Sequence, residues 1–73
     1  MGIKLTSADA RAAGYRKINK SQLKPGGIKI ETTEDGYICY IGPCEEGTGA
    51  REVCYYTENG CDDCYLEDDP QCT

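Results

Sequence analysis

The six cysteines are the residues of this chain with the most definite chemistry, and none of them lies in the first 38 residues. Paired with one another they would form three disulfides, whereas as thiolates they would bind a soft metal such as Zn²⁺. A chain of 73 residues buries a small core and usually needs disulfides, a metal or a partner subunit for stability. The cysteines are Cys39, Cys44, Cys54, Cys61, Cys64 and Cys72.

Three disulfides are the arrangement we favour, although cysteine spacing alone does not choose among the many possible pairings. The hairpin registers derived below put Cys39 and Cys64 on core-facing sides, so a Cys39–Cys64 bond is one specific expectation. Cys72, near the C-terminus, is the candidate for an intermolecular disulfide to a neighbouring subunit.

A zinc site is the alternative use of these sulfurs. The pairs Cys39-x4-Cys44 and Cys61-x2-Cys64 are separated by sixteen residues, which is within the range of sites built from two knuckles and four thiolates. This site would make the chain a zinc-binding adaptor. The disulfide interpretation, in contrast, implies no metal and no other cofactor.

Catalytic chemistry has little support in this composition. The chain has no histidine, so the usual general base is missing and hydrolytic triads of the histidine type are excluded for this chain alone. The two acids inside Cys61-Asp62-Asp63-Cys64 disfavour the thiolate that a redox dithiol needs. We therefore predict a protein without enzymatic activity.

The acidic run near the C-terminus lacks the D-x-D-x-D-G order of a calcium-binding loop. A run of acids is usually a solvated face, and we expect that here. Its members are Asp62, Asp63, Glu67, Asp68 and Asp69.

Charge divides the chain at Gly27. Residues 1–27 carry six basic and one acidic side chain, a net +5, whereas residues 28–73 carry two basic and twelve acidic ones, a net −10. We therefore divide the chain into a basic N-terminal arm, residues 1–27, and an acidic cysteine-rich module, residues 28–73. The arm's cations are dispersed and phosphates would repel the module, so we predict no nucleic-acid partner. An acidic protein, or the acidic half of a neighbouring copy, is the expected partner of the arm.

The arm is predicted to contain one short helix. Thr6-Ser7-Ala8-Asp9 has a hydroxyl N-cap followed three residues later by an acid, and the alanines that follow favour a helix over about residues 7–17. Gly14 weakens this helix, and Pro25-Gly26-Gly27 marks a break in the chain. Because the helix has no wide apolar stripe, we expect the arm to have little to pack against within its own chain and to be ordered by a neighbour.

Two β-hairpins are predicted after the break. Asp35-Gly36 is a hairpin signal that sets Ile30 opposite Ile41 and Thr32 opposite Cys39.

Asn59-Gly60 is the second hairpin signal and sets Val53 opposite Leu66 and Tyr55 opposite Cys64. A glycine-rich loop over residues 42–49 would join the hairpins. The predicted fold class is a small, disulfide-rich, mainly β protein of two antiparallel hairpins, with a short helix in its basic N-terminal arm.

Tyrosines and the cations of the arm are the interface candidates, because tyrosine is enriched where an apolar ring and a wet hydroxyl are both used. On the predicted registers, Tyr40 and Tyr56 face away from the apolar faces. The full set of candidates is Arg11, Tyr15, Arg16, Lys17, Lys20, Lys24, Tyr40 and Tyr56.

Targeting signals are missing from the printed sequence. The first twenty residues contain no apolar run of about seven residues, as a secretory signal would, and no stretch approaches the ~20 apolar residues of a membrane span. We therefore predict no membrane partner, and an extracellular or virion location reached without a secretory signal peptide.

Residues 18–27, INKSQLKPGG, end in two glycines. This segment resembles the end of a double-glycine leader, a family in which the exporter's protease cuts after the second glycine. The resemblance implies cleavage after Gly27 and release of residues 28–73 as an exported cysteine-rich peptide or inhibitor.

The function we favour is that of a non-enzymatic structural or accessory subunit of a larger extracellular assembly, most specifically a phage virion component of the capsid, tail or receptor-binding apparatus. Such an assembly is built inside a cell without secretion and later meets oxidant, which suits a disulfide protein without a signal peptide. Its partners would be other protein subunits. The exported peptide and the zinc-binding adaptor are the alternatives.

Overall fold

The structure is a computed structural model that describes residues 2–72. Its five strands form one antiparallel sheet in the order β1-β5-β4-β3-β2. The strands are β1 (Arg16–Ile18), β2 (Ile28–Lys29), β3 (Ile38–Glu45), β4 (Ala50–Thr57) and β5 (Gly60–Asp68). The helical elements are α1 (Ser7–Ala12) and two 3-10 turns (Lys20–Gln22 and Pro70–Cys72). The predicted fold class, small, disulfide-rich and mainly β with an N-terminal helix, is confirmed.

Helix α1 begins where its capping signal predicts. Thr6 is the N-cap: its Oγ1 accepts the Asp9 N–H at 3.3 Å and donates to Asp9 Oδ2 at 2.9 Å. The helix ends at Ala12, earlier than predicted, because Gly14 at φ +80° turns the chain out of the helix and into β1.

The first predicted hairpin exists, but its register differs by two residues. Ile28 lies opposite Ile41, and the Ile30 N–H donates to the Cys39 carbonyl at 2.9 Å. An even shift keeps each side chain on its face of the strand, so only the predicted partners were wrong. The shift arises because a loop over residues 31–37, rather than a two-residue turn, connects β2 to β3.

The second predicted hairpin also exists, and here the register differs by one residue. Val53 lies opposite Tyr65 and Cys54 lies opposite Cys64. Gly60, at φ +110°, pairs with Thr57 instead of sitting inside the turn, which shifts the pairing by two residues, and a register shift between Tyr55 and Tyr56 moves it back by one. The predicted Tyr55–Cys64 register was therefore wrong. A one-residue difference moves every side chain of β5 to the opposite face.

Half of the predicted loop over residues 42–49 is strand. β3 continues to Glu45, and only residues 46–49 turn into β4. Gly42 permits the close approach of the two strands, since a Cβ there would lie 3.2 Å from the Cβ of Glu52. Pro43 lies in a register shift between Ile41 and Cys44, where a residue without an N–H is tolerated.

The N-terminal arm covers both faces of the sheet. On the face that we call the tyrosine face, Val53, Tyr55 and Tyr65 pack against Ala10 of α1, and the two tyrosine rings meet edge to face at 5.9 Å. On the opposite face, the cystine face, Ile18 and Leu23 of the arm pack on a cluster of buried cysteines, which are Cys39, Cys54 and Cys64. The expectation that the arm has little to pack against within its own chain was therefore wrong. The division of the chain into an arm, residues 1–27, and a module, residues 28–73, stays a prediction.

All six cysteines are paired. The disulfides are Cys39–Cys61, Cys44–Cys72 and Cys54–Cys64. The predicted Cys39–Cys64 bond was wrong because the register of β4 and β5 puts Cys64 opposite Cys54, with 4.0 Å between their Cα atoms. Cys72 is bonded to Cys44, so it is not the free thiol that an intermolecular bond would need.

Candidate interaction surface

The opposite charges of the two halves of the chain meet inside one molecule. The Lys4 N–H donates to Glu67 Oε1 at 2.8 Å, and the Lys24 N–H donates to Glu52 Oε1 at 3.2 Å. Both glutamates are buried. Acidic side chains of the sheet therefore hold the backbone of the arm.

Asp63 is the most heavily used of these acids. Its Oδ2 lies 3.4 Å from Arg11 Nη1, and its buried Oδ1 lies 3.3 Å from Lys17 Nζ. The Oδ1–Lys17 contact is an ion pair without hydrogen-bond alignment. Both cationic side chains are more than half exposed, so solvent screens these pairs and they position the arm more than they stabilise it.

One further ion pair joins the arm to the sheet, and a second lies within the module. Lys24 Nζ lies 3.3 Å from Glu45 Oε1, and Arg51 Nη1 lies 2.9 Å from Asp69 Oδ2. The acidic groups that meet the arm thus belong to its own chain. An acidic partner protein, or the acidic half of a second copy, stays a prediction.

Glu67 lies in the interior with 0% of its surface exposed and contacts the hydroxyl of Tyr55. Burial raises the pKa of Glu67, against the opposing effect of hydrogen bonds from Lys4 and Tyr55, and burial likewise raises the pKa of Tyr55. Tyr55 Oη lies within hydrogen-bond distance of both Glu67 Oε2 and the Lys4 carbonyl, the latter at 2.9 Å, and the Lys4 N–H donates to Glu67 Oε1. A hydroxyl has one proton, so it donates to the carboxylate or to the carbonyl; a protonated Glu67 that donates to Tyr55 Oη would satisfy both contacts.

The acidic run near the C-terminus is not the solvated face that was expected. Asp63, Glu67 and Asp69 are buried, whereas Asp68 is exposed. Asp63 and Glu67 point to the tyrosine face because alternate residues of a strand share a face. A hydrogen bond from the Gln71 N–H at 3.0 Å, together with the Arg51 contact, lowers the pKa of Asp69 against the effect of burial.

Three of the predicted interface residues line one open cleft of about 620 Å³. Arg11, Tyr15 and Lys17 surround it together with Asp63 and Tyr65. The Arg11 guanidinium also donates to the Tyr65 hydroxyl at 3.1 Å. The cations of this cleft are already paired with acids, so it does not present a uniform charge to a ligand.

The other candidates are spread over the molecule. Tyr40 and Tyr56 are half-buried and pack on the cystine face, so the expectation that they face away from apolar surfaces was wrong. The Tyr40 hydroxyl donates to the Lys24 carbonyl at 3.0 Å, and Lys20 lies beside Tyr40 at a smaller cavity. Arg16 is exposed on the outer strand β1. The eight candidates do not form one site.

The exposed apolar residues are a feature that the sequence did not reveal. Ile28, in the outer strand β2, is 65% exposed, and Ile30, directly after it, is 36% exposed. Tyr37, which forms an isolated bridge with Thr6, is 41% exposed, and Leu5, next to Thr6, is 63% exposed. The position of β2 at the edge of the sheet follows from tertiary pairing, which no local pattern encodes.

The predicted zinc ligands do not form a four-thiolate set in this structure. Cys39 is bonded to Cys61, and Cys44 is bonded to Cys72. Within residues 2–72 there is also no group of three or more histidine, cysteine or acidic side chains arranged to hold a metal ion. In the same part of the chain, no helix has the length and apolar character to cross a bilayer.

Comparisons with models of protein families, with curated proteins and with solved structures found no match to this chain. Function is therefore inferred from the geometry of the chain itself. The three disulfides indicate an oxidising, extracellular environment for a stabilised structural or peptide role.

Proposed function

We propose that this protein is a non-enzymatic structural subunit of a larger extracellular assembly. The observation that carries the proposal is the exposure of two large apolar side chains, Ile28 and Ile30, at the open β2 edge, whereas residues of the arm pack on both faces of the sheet. Exposed apolar residues on a small, disulfide-linked protein are typical of contact surfaces.

The use of the acidic groups supports a structural role. Asp63, Glu67 and Asp69, which could have served acid–base or metal chemistry, are buried and hold the arm or the C-terminal turn. Their hydrogen bonds connect parts of the fold that are far apart in sequence. These groups therefore stabilise one conformation.

The specific assembly that we propose is a phage virion, in its capsid, tail or receptor-binding apparatus. A virion protein is made inside a cell and meets oxidant on release, which suits a chain with three disulfides. Other protein subunits would be its partners.

The packing of the arm weighs against the double-glycine alternative. Cleavage after Gly27 would remove Ala10 from the tyrosine face, and Ile18 and Leu23 from the cystine face. The released module would then expose much of its small core. An intact chain is the form that this packing supports.

The test is the fate of the full-length chain in cells that produce it. Alkylating reagent is added at lysis, released particles are separated from free protein on a density gradient, and the intact mass is measured under non-reducing conditions. We expect a full-length, unalkylated chain that lacks two hydrogens per disulfide and sediments with particles in a fixed copy number. A cytosolic marker protein in the same gradient controls for adventitious trapping.

Three other outcomes would contradict the proposal. A free species with the mass of residues 28–73 would make the chain a leader and an exported peptide. Alkylation of four or more cysteines after chelation would make it a zinc-binding adaptor. A full-length, oxidised protein found only as free monomer would remove the assembly role.

A further inference from the structure

We propose that two copies of this chain associate through β2, edge to edge and antiparallel, about a two-fold axis at Ile30. β2 is the last strand of the sheet, and among the described residues no strand lies on its outer side. Such an edge presents unpaired backbone groups to any chain that can pair with it. The inference rests on the proposed role of an assembly subunit and names the partner at its exposed edge.

The backbone at this edge has a defined pattern of open groups. The Ile30 N–H donates to the Cys39 carbonyl, so the N–H and C=O of Ile30 point towards β3, and those of Ile28 do the same. By this alternation the groups of Lys29 point outwards, and those of Glu31, the first residue beyond the observed pairing with β3, would also point outwards where the extended backbone continues into the loop. An incoming antiparallel strand would form its hydrogen bonds with these two residues.

The charges of Lys29 and Glu31 select one register for a second copy. Lys29 opposite Lys29 would repel, and so would Glu31 opposite Glu31. With the axis at Ile30, Lys29 of each copy lies opposite Glu31 of the other. Each Lys29–Glu31 pair combines two backbone hydrogen bonds with an attraction between opposite charges. The two-fold axis generates two such pairs per dimer.

The apolar residues fit the same register. Ile30 would meet Ile30 of the second copy at a position without hydrogen bonds, where facing side chains approach most closely. Ile28 would face Thr32 of the second copy. The pairing thus covers the two aliphatic side chains that the monomer leaves exposed.

The opposite edge of the sheet does not offer this complementarity. β1 carries exposed Arg16 and Lys17, so two β1 edges would repel each other. Pairing β2 with β2 uses the same surface on both copies and yields a closed dimer, whereas pairing β1 with β2 would extend without limit.

The experiment is sedimentation equilibrium of the oxidised full chain from about 1 µM to about 1 mM, a range that covers weak and moderate dimers. We expect a monomer–dimer equilibrium. Lys29→Glu and Glu31→Lys each convert both cross-strand pairs into like charges and should weaken the dimer about ten-fold or more. An equimolar mixture of the two variants should restore it, because every Glu then faces a Lys. Glu58→Lys, which makes the same charge change at the exposed β4–β5 turn, should leave dimerisation unchanged.

A second measurement does not depend on any variant. Amide hydrogen exchange in the wild-type chain should slow at Lys29 and Glu31 as concentration rises, while exchange at other exposed amides stays constant. A chain that remains monomeric across the range would overturn the proposal, and so would a dimer whose dissociation constant is unchanged by Lys29→Glu and Glu31→Lys. Species that keep growing with concentration would also overturn it in favour of pairing between β1 and β2. A monomer that still sediments with particles would leave the assembly role intact, so the two proposals fail separately.

Discussion

The Tyr55 hydroxyl and the Glu67 carboxyl are hydrogen-bonded to each other in the interior of the protein, where both side chains are 0% exposed. The same hydroxyl donates to the backbone of Lys4, so the pair joins β4 and β5 to the N-terminal arm. A buried carboxyl requires hydrogen-bond partners for its oxygens, and Lys4 and Tyr55 provide them here. The arm thus completes a polar network that the sheet alone would leave open.

Glu67→Gln should change how stability depends on pH. Folding raises the pKa of Glu67 above its ordinary value near 4.5, so the contribution of the neutral acid to the free energy of unfolding is complete below that value and is lost as pH rises through the folded pKa. Glutamine keeps the shape, donor and acceptor of the neutral acid. We expect the variant to be within about 1 kcal/mol of the wild type near pH 4 and to become the more stable protein as pH rises.

Urea unfolding of both proteins at a series of pH values measures this difference. Glu58→Gln, at an exposed turn, is the control and should follow the wild type at every pH. A Glu67→Gln curve that runs parallel to the wild-type curve would contradict the prediction, because it would show that folding does not shift the pKa of Glu67.

The features that were predictable from the sequence depend on local chemistry. The capping hydroxyl of Thr6 fixes the start of α1 within a few residues, and Asn59-Gly60 marks the turn between β4 and β5. The cysteine pairing depends instead on whether the register of β4 and β5 is shifted by an odd or an even number of residues. The register shift between Tyr55 and Tyr56 makes this number odd and sets Cys64 opposite Cys54, and the Asn59-Gly60 signal does not encode that irregularity.

The sequence also did not predict that the basic arm would pair with acidic side chains of its own chain. A basic arm and an acidic module attract each other equally within one chain or between two, and composition does not distinguish these cases. A signal was present in β5, where Asp63, Tyr65 and Glu67 are alternate residues, so that the two acids share one face of the strand with a core tyrosine. That pattern places two acids on a core face, where only a partner such as the arm could satisfy them.

The Cys44–Cys72 disulfide should be the first to be reduced under native conditions. Thiol–disulfide exchange requires access of the attacking thiolate to sulfur. Cys44 is exposed and Cys72 half-buried, whereas Cys54 and Cys64 are each 0% exposed. Mild reduction at pH 8, quenching by alkylation and peptide mapping give the order.

Loss of this bond should destabilise the fold by about 3–4 kcal/mol on loop-entropy grounds, since it closes a separation of 28 residues. Cys44→Ser with Cys72→Ser, unfolded in urea, provides the value. Reduction in denaturant is the control and should remove the order among the three bonds. Early reduction of Cys54–Cys64 in the native protein would contradict the burial described here.

Ala10→Asp should unfold the arm from the tyrosine face. Ala10 is 0% exposed and packs on Val53, Tyr55 and Tyr65, so a carboxylate there has no room and no partner. We expect a loss of about 3 kcal/mol or more, measured by urea unfolding. Ala8→Asp, on the exposed side of the same helix, is the matched control and should change stability by no more than about 0.5 kcal/mol. Equal effects of the two variants would mean that α1 does not dock on the sheet.

The isolated fragment of residues 28–73 should not form the native sheet. Without the arm, Val53, Tyr55 and Cys54 lose apolar cover, and the Glu67 carboxyl loses the Lys4 backbone. We expect the oxidised fragment to bind a hydrophobic dye, to show poor amide dispersion in NMR and to yield mixed disulfide pairings.

Complementation separates a folding role of the arm from simple damage by truncation. A synthetic peptide of residues 1–27, added during oxidation of the fragment, should restore the pairs Cys39–Cys61, Cys44–Cys72 and Cys54–Cys64, because its contacts with both faces need no covalent link. The same peptide with Ala10→Asp should restore them poorly. A fragment that folds fully alone, with native pairings and a cooperative transition, would instead show that the cysteine-rich module is self-sufficient, as an exported peptide must be.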